Sequence, residues 1–293
     1  MDFALPTRSE DGHKGTFGSV CVIGGQRSEG GVVMLGAPAL AANAAMRSGC
    51  GKGILAMPQP VLQHGLLLAP TVTGIELPVD EVGRLLPSAS IEALDAHVSD
   101  CRCLVIGPGF GSEWPQQQLV ATLLSRENRP IVLDADGLNA LAKLPYGQLD
   151  LRAPTILTPH VGEYNRLAEA MGIHADAQNQ VEAAEALAQA YGCIVVLKSD
   201  VTVISDGVRS VEESNGSVVL ATGGTGDVLT GIISGILVQF GKDCISHLFD
   251  AAVLSVRVHA IAGDSFTAEH GNTGMLATDL LQRIPSAIAT LRA

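Results

Sequence analysis

The chain has 293 residues, 47% apolar and 16% charged, a balance that supplies a substantial core and excludes a disordered polypeptide. Its 18 Lys and Arg stand against 30 Asp and Glu, a formal charge of -12, the wrong sign for a general nucleic-acid binder. The length suits one large α/β unit, and a single domain over residues 1–293 is expected.

In chain order, the N-terminus has an early acidic pair and no apolar h-region, so nothing there resembles an export signal. A first strand is predicted at 19–25 (SVCVIGG), then a helix at 36–48, a strand at 103–109 and a helix at 114–126. Strands at 130–136 and 155–160 follow, then helices at 162–171 and 177–191 and a strand at 193–199. These strands are continuous apolar runs ending in polar or glycine-rich turns, as strands buried on both faces do. Their alternation with helices implies right-handed crossovers and a mostly parallel sheet covered on both faces. VTVISD and RSVEES, joined through Asp206-Gly207, read as a short antiparallel hairpin. Three helices, at 227–240, 245–262 and 273–292, close the chain. The apolar run 228–240 is interrupted by Thr230, Gly231, Ser234, Gly235 and Gln239 and reads as a buried helix, not a membrane anchor. Cys21, Cys50, Cys101, Cys103, Cys193 and Cys244 lie mostly in apolar segments without CxxC pairing, which predicts reduced core thiols; the N-terminus without an export signal predicts a cytoplasmic location.

Ligands of an open parallel sheet bind beyond the carboxyl ends of its strands, and here those ends hold the unusual residues. Ala221-Thr222-Gly223-Gly224-Thr225-Gly226-Asp227 runs directly into an apolar helix. Such a loop presents backbone NH groups at a helix N-terminus, a plausible phosphate cradle. Asp227 reads either as an N-cap or as a base that takes a proton from an attacking hydroxyl. Gly231 and Gly235, one turn apart, serve close helix packing. Gly107-Pro-Gly109-Phe-Gly111 is either a plain tight turn or a close approach to ligand. Asp134-Ala-Asp136-Gly-Leu-Asn139 offers carboxylates for a cap or for polar contact with substrate or metal. In Thr158-Pro-His160-Val-Gly-Glu163, His160 is a packed, solvated or functional residue. Glu163 either compensates the helix dipole or holds Mg²⁺, directly or through water. Lys198-Ser199-Asp200-Val201-Thr202 is a surface turn or reaches a nucleotide phosphate or ribose. There is no Walker P-loop, GxGxxG dinucleotide fingerprint, HExxH or GxSxG.

Together with His13-Lys14-Gly15, Met46-Arg47-Ser48-Gly49 and Val258-His259, these loops resemble the ribokinase-like superfamily, and within it the ADP- or ATP-dependent NAD(P)H-hydrate dehydratases. The resemblance covers nearly the whole chain; one departure is Ser199, where the family usually has glycine after the VVLK lysine. It implies a ribokinase-like three-layer α/β fold. It also implies phosphorylation of the 6-hydroxyl of NADHX or NADPHX by ADP or ATP with Mg²⁺, followed by loss of phosphate. By resemblance Asp227 stands beside the reacting hydroxyl, and Ala37, Gly109 and His160 line the hydrated cofactor's site. Gly226, with Gly223, Gly224, Thr225 and residues Lys198 to Thr202, belongs to the nucleotide site. The resemblance further implies a homo-oligomer, expected to be a tetramer; the net charge and the interrupted apolar run predict no nucleic-acid or membrane partner. A ribokinase-like kinase of a small alcohol, releasing a stable phosphoester, is the alternative.

Overall fold

Consecutive apolar residues, rather than alternating ones, mark strands that are covered on both faces. In the computed structural model, which describes residues 3–28, 30–145 and 151–292, those runs form the centre of the molecule. The elements in order are β1 (Ser19–Ile23), β2 (Gln26–Arg27), β3 (Val33–Met34), α1 (Gly36–Arg47), β4 (Lys52–Pro58), α2 (Gln59–Leu68), β5 (Thr73–Leu77) and α3 (Pro87–His97). Then come β6 (Cys103–Ile106), α4 (Trp114–Arg126), β7 (Ile131–Leu133), α5 (Asp136–Ala142), β8 (Thr155–Leu157), α6 (Val161–Met171), α7 (Gln180–Tyr191) and β9 (Ile194–Leu197). The hairpin β10 (Thr202–Ser205) and β11 (Ser210–Glu213) precedes α8 (Thr225–Leu237), α9 (Leu248–His270) and α10 (Ala277–Arg292).

One nine-stranded sheet has the order β11-β10-β9-β8-β7-β6-β1-β4-β5. From β9 to β5 all neighbours are parallel, and the β10–β11 hairpin adds the antiparallel edge. The period-2 geometry of a strand divides the core in two. Val20 and Val22 of β1 face the cluster built with α1, α8, α9 and α10, while Cys21 and Ile23 face the one built with α3 to α7. All six cysteines are buried and free, as expected. The Asp206-Gly207 turn also forms as read: Gly207 has φ 86°, and the Asp206 carboxylate accepts from the NH groups of Val208 and Arg209.

Several elements escaped the sequence reading. β4 and β5 sit between glycines and prolines, and α5 is only seven residues long, too short to show a 3.6-residue period. The last three helices start or stop elsewhere than expected. α8 begins at Thr225 and ends at Leu237, and a 3₁₀ stretch broken by Gly241 at φ 75° separates it from α9. α9 runs on to His270, where Gly271 ends it.

α8 is apolar on all sides because it is enclosed, with eleven residues from Thr225 to Leu237 buried. Its two interior glycines allow this: a Cβ on Gly231 would lie 2.2 Å from the Ala41 carbonyl oxygen, and one on Gly235 2.6 Å from that of Ala45. α1 therefore packs backbone to backbone on α8. Gly231→Ala is expected to lower the unfolding free energy by about 1 to 3 kcal/mol through overpacking. Gly36→Ala, where the added methyl meets nothing within 4 Å, should be neutral or slightly stabilising. Denaturant unfolding of the two variants makes the comparison.

Candidate active site

The strand order reverses between β1 and β6, and the crevice beyond their carboxyl ends is the default ligand position in such a sheet. Two glycine turns meet there. Gly25 N donates to the Pro108 carbonyl at 2.9 Å, and a Cβ on Gly24 would lie 2.3 Å from the same oxygen. Gly109, at φ 61°, faces Ala37: a Cβ on Gly109 would sit 3.5 Å from that of Ala37 and 3.0 Å from that of Met34. These two expected site residues are thus brought together. The next strand end is tied in by Asp136, whose carboxylate accepts from Gly111 N at 2.8 Å.

The GGTGD loop opens α8. Gly224 is the N-cap with φ 94°, and Asp227 lies in the first helical turn without a capping bond; the capping alternative for Asp227 is therefore set aside. Thr225 locks the turn by donating from Oγ1 to the carbonyls of Leu220 (2.7 Å) and Thr222 (2.8 Å). From α9, His259 donates from Nε2 to the Thr225 carbonyl at 2.9 Å. Burial lowers the pKa of His259 to about 4, so it is the neutral imidazole that holds this bond. The NH groups of Gly223, Gly224, Gly226 and Asp227 donate to no acceptor among the described residues. Unpaired NH groups at a helix start form an anion site, since the macrodipole adds to their partial charge.

A cluster of charge faces this loop. Lys198, at the end of β9, donates from Nζ to Asp134 Oδ1 at 2.8 Å, and Thr230 of α8 donates to Asp134 Oδ2 at 2.7 Å. Asp134 is only 2% exposed. A Cβ on Gly226 would lie 3.4 Å from Lys198 Nζ, which places the ammonium against the loop. Burial acts to lower the pKa of Lys198, but Asp134, Glu163 and Asp227 outweigh it and hold the ammonium above its ordinary value. The Asp227 carboxyl is pushed up to about 7 by burial and by Asp134, against the pull of Lys198. Glu163 is also pushed up to about 7, again chiefly by burial. The backbone between Asp134 and Asp136 is strained, with Ala135 at φ 50°. No other non-glycine residue among those described has a positive φ, and such strain concentrates at functional sites.

His160 and Glu163 form a reciprocal cap on α6. His160 Nδ1 accepts from the NH groups of Gly162 and Glu163, and Glu163 Oε2 accepts from His160 N at 2.9 Å. Burial, Lys198 and Arg166 lower the pKa of His160, which leaves a neutral ring whose Nε2 lies 3.4 Å from Glu163 Oε1. The pair joins the Lys198 cluster because Lys198 N donates to the Pro159 carbonyl at 2.8 Å. Beyond Lys198 the turn is more open: Ser199 and Asp200 are exposed and Val201 and Thr202 half-buried. Ser199 Oγ donates to Asp200 Oδ1 at 2.7 Å and lowers that carboxyl's pKa. Ser199 is not in the left-handed region, so the glycine-to-serine departure strains nothing. Sequence reasoning missed Thr230 and gave His259 no role. The signal for Thr230 was its place three residues after Asp227, one turn along α8.

The chain matches the sequence profile of the NAD(P)H-hydrate dehydratase family over residues 20–286. The chain belongs to that family. Among NAD(P)H-hydrate dehydratase relatives, the bifunctional NAD(P)H-hydrate repair enzyme Nnr of Salinibacter ruber is 35% identical over 292 residues, covering 97% of this chain and 50% of that protein. The chain spans about half the length of the curated relatives it matches. The ADP/ATP-dependent NAD(P)H-hydrate dehydratase from Bacillus subtilis, co-crystallized with ATP/Mg²⁺, superposes with a TM-score of 0.78 at 30% identity, covering 98% and 94% of the two chains. A ribokinase from Thermotoga maritima, at 13% identity and a TM-score of 0.55 over 94% of this chain and 99% of that one, shares the fold alone. The fold is accordingly ribokinase-like, with a mostly parallel sheet between two helical layers, as expected.

Lys198→Met should raise the pKa of Asp227 above its already elevated value, because the one nearby cation that favours ionisation is removed. Carboxyl NMR titration of the two proteins reads this directly, and an unchanged Asp227 midpoint would show that the two groups are not coupled.

Proposed function

We propose that the chain carries out the ADP- or ATP-dependent dehydration of (6S)-NADHX and NADPHX to NADH and NADPH, through a phosphorylated intermediate. The observation that carries this reading is the Asp227 carboxyl, with its pKa near 7, standing on the loop whose NH groups lack acceptors. A general base works best with a pKa near the operating pH, and unpaired NH groups at a helix start stabilise a transferring phosphoryl group.

In this reading Asp227 takes the proton of the 6-hydroxyl as its oxygen attacks the terminal phosphorus, releasing AMP from ADP or ADP from ATP. Hydroxide is a poor leaving group and phosphate a good one. The ring nitrogen's electron pair then expels phosphate from C6, and loss of the C5 proton restores the ring double bond. Gly223, Gly224, Thr225 and Gly226 hold the transferring phosphate, with Lys198 beside them as its cation. Ser199, Asp200, Val201 and Thr202 border the rest of the nucleotide. Ala37 and Gly109 flank the hydrated ring, and His160 offers its Nε2–H.

Magnesium fits this site as a companion of the phosphates. Among the described residues no group of three His, Cys, Asp or Glu is arranged to hold a metal alone. Asp134, Glu163 and Asp227 share the single ammonium of Lys198, so an arriving polyphosphate needs added positive charge, which Mg²⁺ would supply while keeping several waters. Glu163 is the residue that would reach it, and its bond from His160 N favours contact through water. The buried, free cysteines support residence in the reducing cytoplasm.

Incubation with NADHX, Mg²⁺ and either nucleotide should restore the absorbance of reduced nicotinamide; a persistent phosphoester would instead establish the kinase alternative. Asp227→Asn should abolish turnover and leave nucleotide affinity, measured by calorimetry, within about threefold. For the unaltered protein, kcat/KM should fall about tenfold per pH unit below about 7, as the Asp227 carboxyl gains its proton. The same substitution carries a stability signature. The folded-state pKa of Asp227 is raised, so the ionised carboxylate costs stability above about 7, and this cost vanishes once pH falls below the ordinary carboxylate value of 3.8. Asp227→Asn is therefore expected to raise the Tm by about 2 to 5 °C in mildly alkaline buffer and by much less in acid, as calorimetry at two pH values would show.

A further inference from the structure

A second cavity, of about 480 Å³, opens at the same carboxyl edge, between the ends of β1 and β4 and the start of α4. Its size is that of a small-molecule site, and none of the residues assigned roles above lines it. It adjoins the crevice through Gln26, a lining residue whose Nε2 contacts Met34 Sδ at 3.6 Å and whose Oε1 lies 2.4 Å from the Cβ position of Gly111. Met34 in turn packs on Gly109. The cavity is thus the outward continuation of the place where Ala37 and Gly109 meet.

Three lining groups lack an explanation from the fold. Trp114 is 64% exposed although indole is strongly apolar. Arg27 is exposed and makes no ion pair with a described residue, whereas Arg84 across the cavity is paired with Asp80. Gln116 Oε1 is buried and accepts no hydrogen bond from the described residues. An aromatic face, a cation and an unmet amide are the three groups that recognise a purine nucleotide, through stacking, phosphate pairing and bonds to exocyclic amine or ribose hydroxyl.

We propose that this cavity seats the ADP-ribose half of the hydrated dinucleotide, with adenine against Trp114, the phosphates toward Arg27 and a ligand NH or OH donated to Gln116. The inference rests on the dehydratase reading, in which only the nicotinamide end reaches Asp227 and the remainder of a long substrate must leave the crevice. Gln26 marks the crossing from one compartment to the other. The co-substrate nucleotide occupies the opposite side, toward β9 and the GGTGD loop.

Trp114 is the chain's single tryptophan, so its emission reports on this cavity alone. The test titrates ADP-ribose into protein already saturated with Mg²⁺ and ADP. Quenching of Trp114 emission is expected, with the apparent Kd raised about tenfold in Arg27→Ala. Trp114→Ala should raise KM for NADHX by a similar factor and leave KM for ADP unchanged. No quenching, or quenching already complete with ADP alone, overturns the proposal, and so does an unchanged KM for NADHX. Quenching by ADP-ribose in a protein that cannot turn over NADHX would support the cavity as an ADP-ribose site and reject the dehydratase reading, so the two fail separately.

Discussion

The Asp134 carboxylate, almost wholly withdrawn from solvent, joins three elements that are far apart in sequence. It ends β7, receives the ammonium at the end of β9 and the hydroxyl of Thr230 on α8. A buried carboxylate is tolerable only when its lone pairs are met by charge or hydrogen bonds, so the sheet and the glycine-loop helix are held in one relative position. From that position the rest of the site follows. Lys198 lies against Gly226, Asp227 shares the field of Lys198, and the strained backbone at Ala135 sends the neighbouring Asp136 to the Gly111 turn.

The same burial that shapes the site sets its chemistry. Lys198 stays charged because three carboxyls face it, while burial, aided by Asp134, pushes Glu163 and Asp227 to about 7 against the pull of Lys198. Such a group of acids is a poor stabiliser of the fold, and in the proposed function the charge of a metal-bound polyphosphate completes it. In the proposed function, stability is given up locally in return for a base that is half-ionised near neutrality.

Much of this was legible in the sequence because the strands carry no alternation to misread. SVCVI, CLVI and IVVL were recognisable as doubly covered strands, and the turns after them announced the functional edge. The GGTGD loop was legible for a different reason, since glycine at successive positions has few purposes other than close approach. What stayed hidden depended on tertiary partners. Asp134 looked like a cap or a ligand residue until Lys198 and Thr230 were seen to hold it, and nothing local to Val258-His259 says that its ring bonds the Thr225 carbonyl. β4, β5 and α5 were missed because short elements between prolines and glycines give too few residues for a period to emerge. The likeness of Gln26, Arg27 and Trp114 to ordinary surface residues hid their convergence, which only the folded edge creates.

The neutral state of His259 has a consequence of its own. Its imidazole would take up a proton only in distinctly acidic solution, so the strut from α9 to the start of α8 is the same on either side of neutrality. The glycine loop's tie to α9 is thereby insulated from ordinary swings in acidity, which act instead on the Asp227 and Glu163 carboxyls beside it.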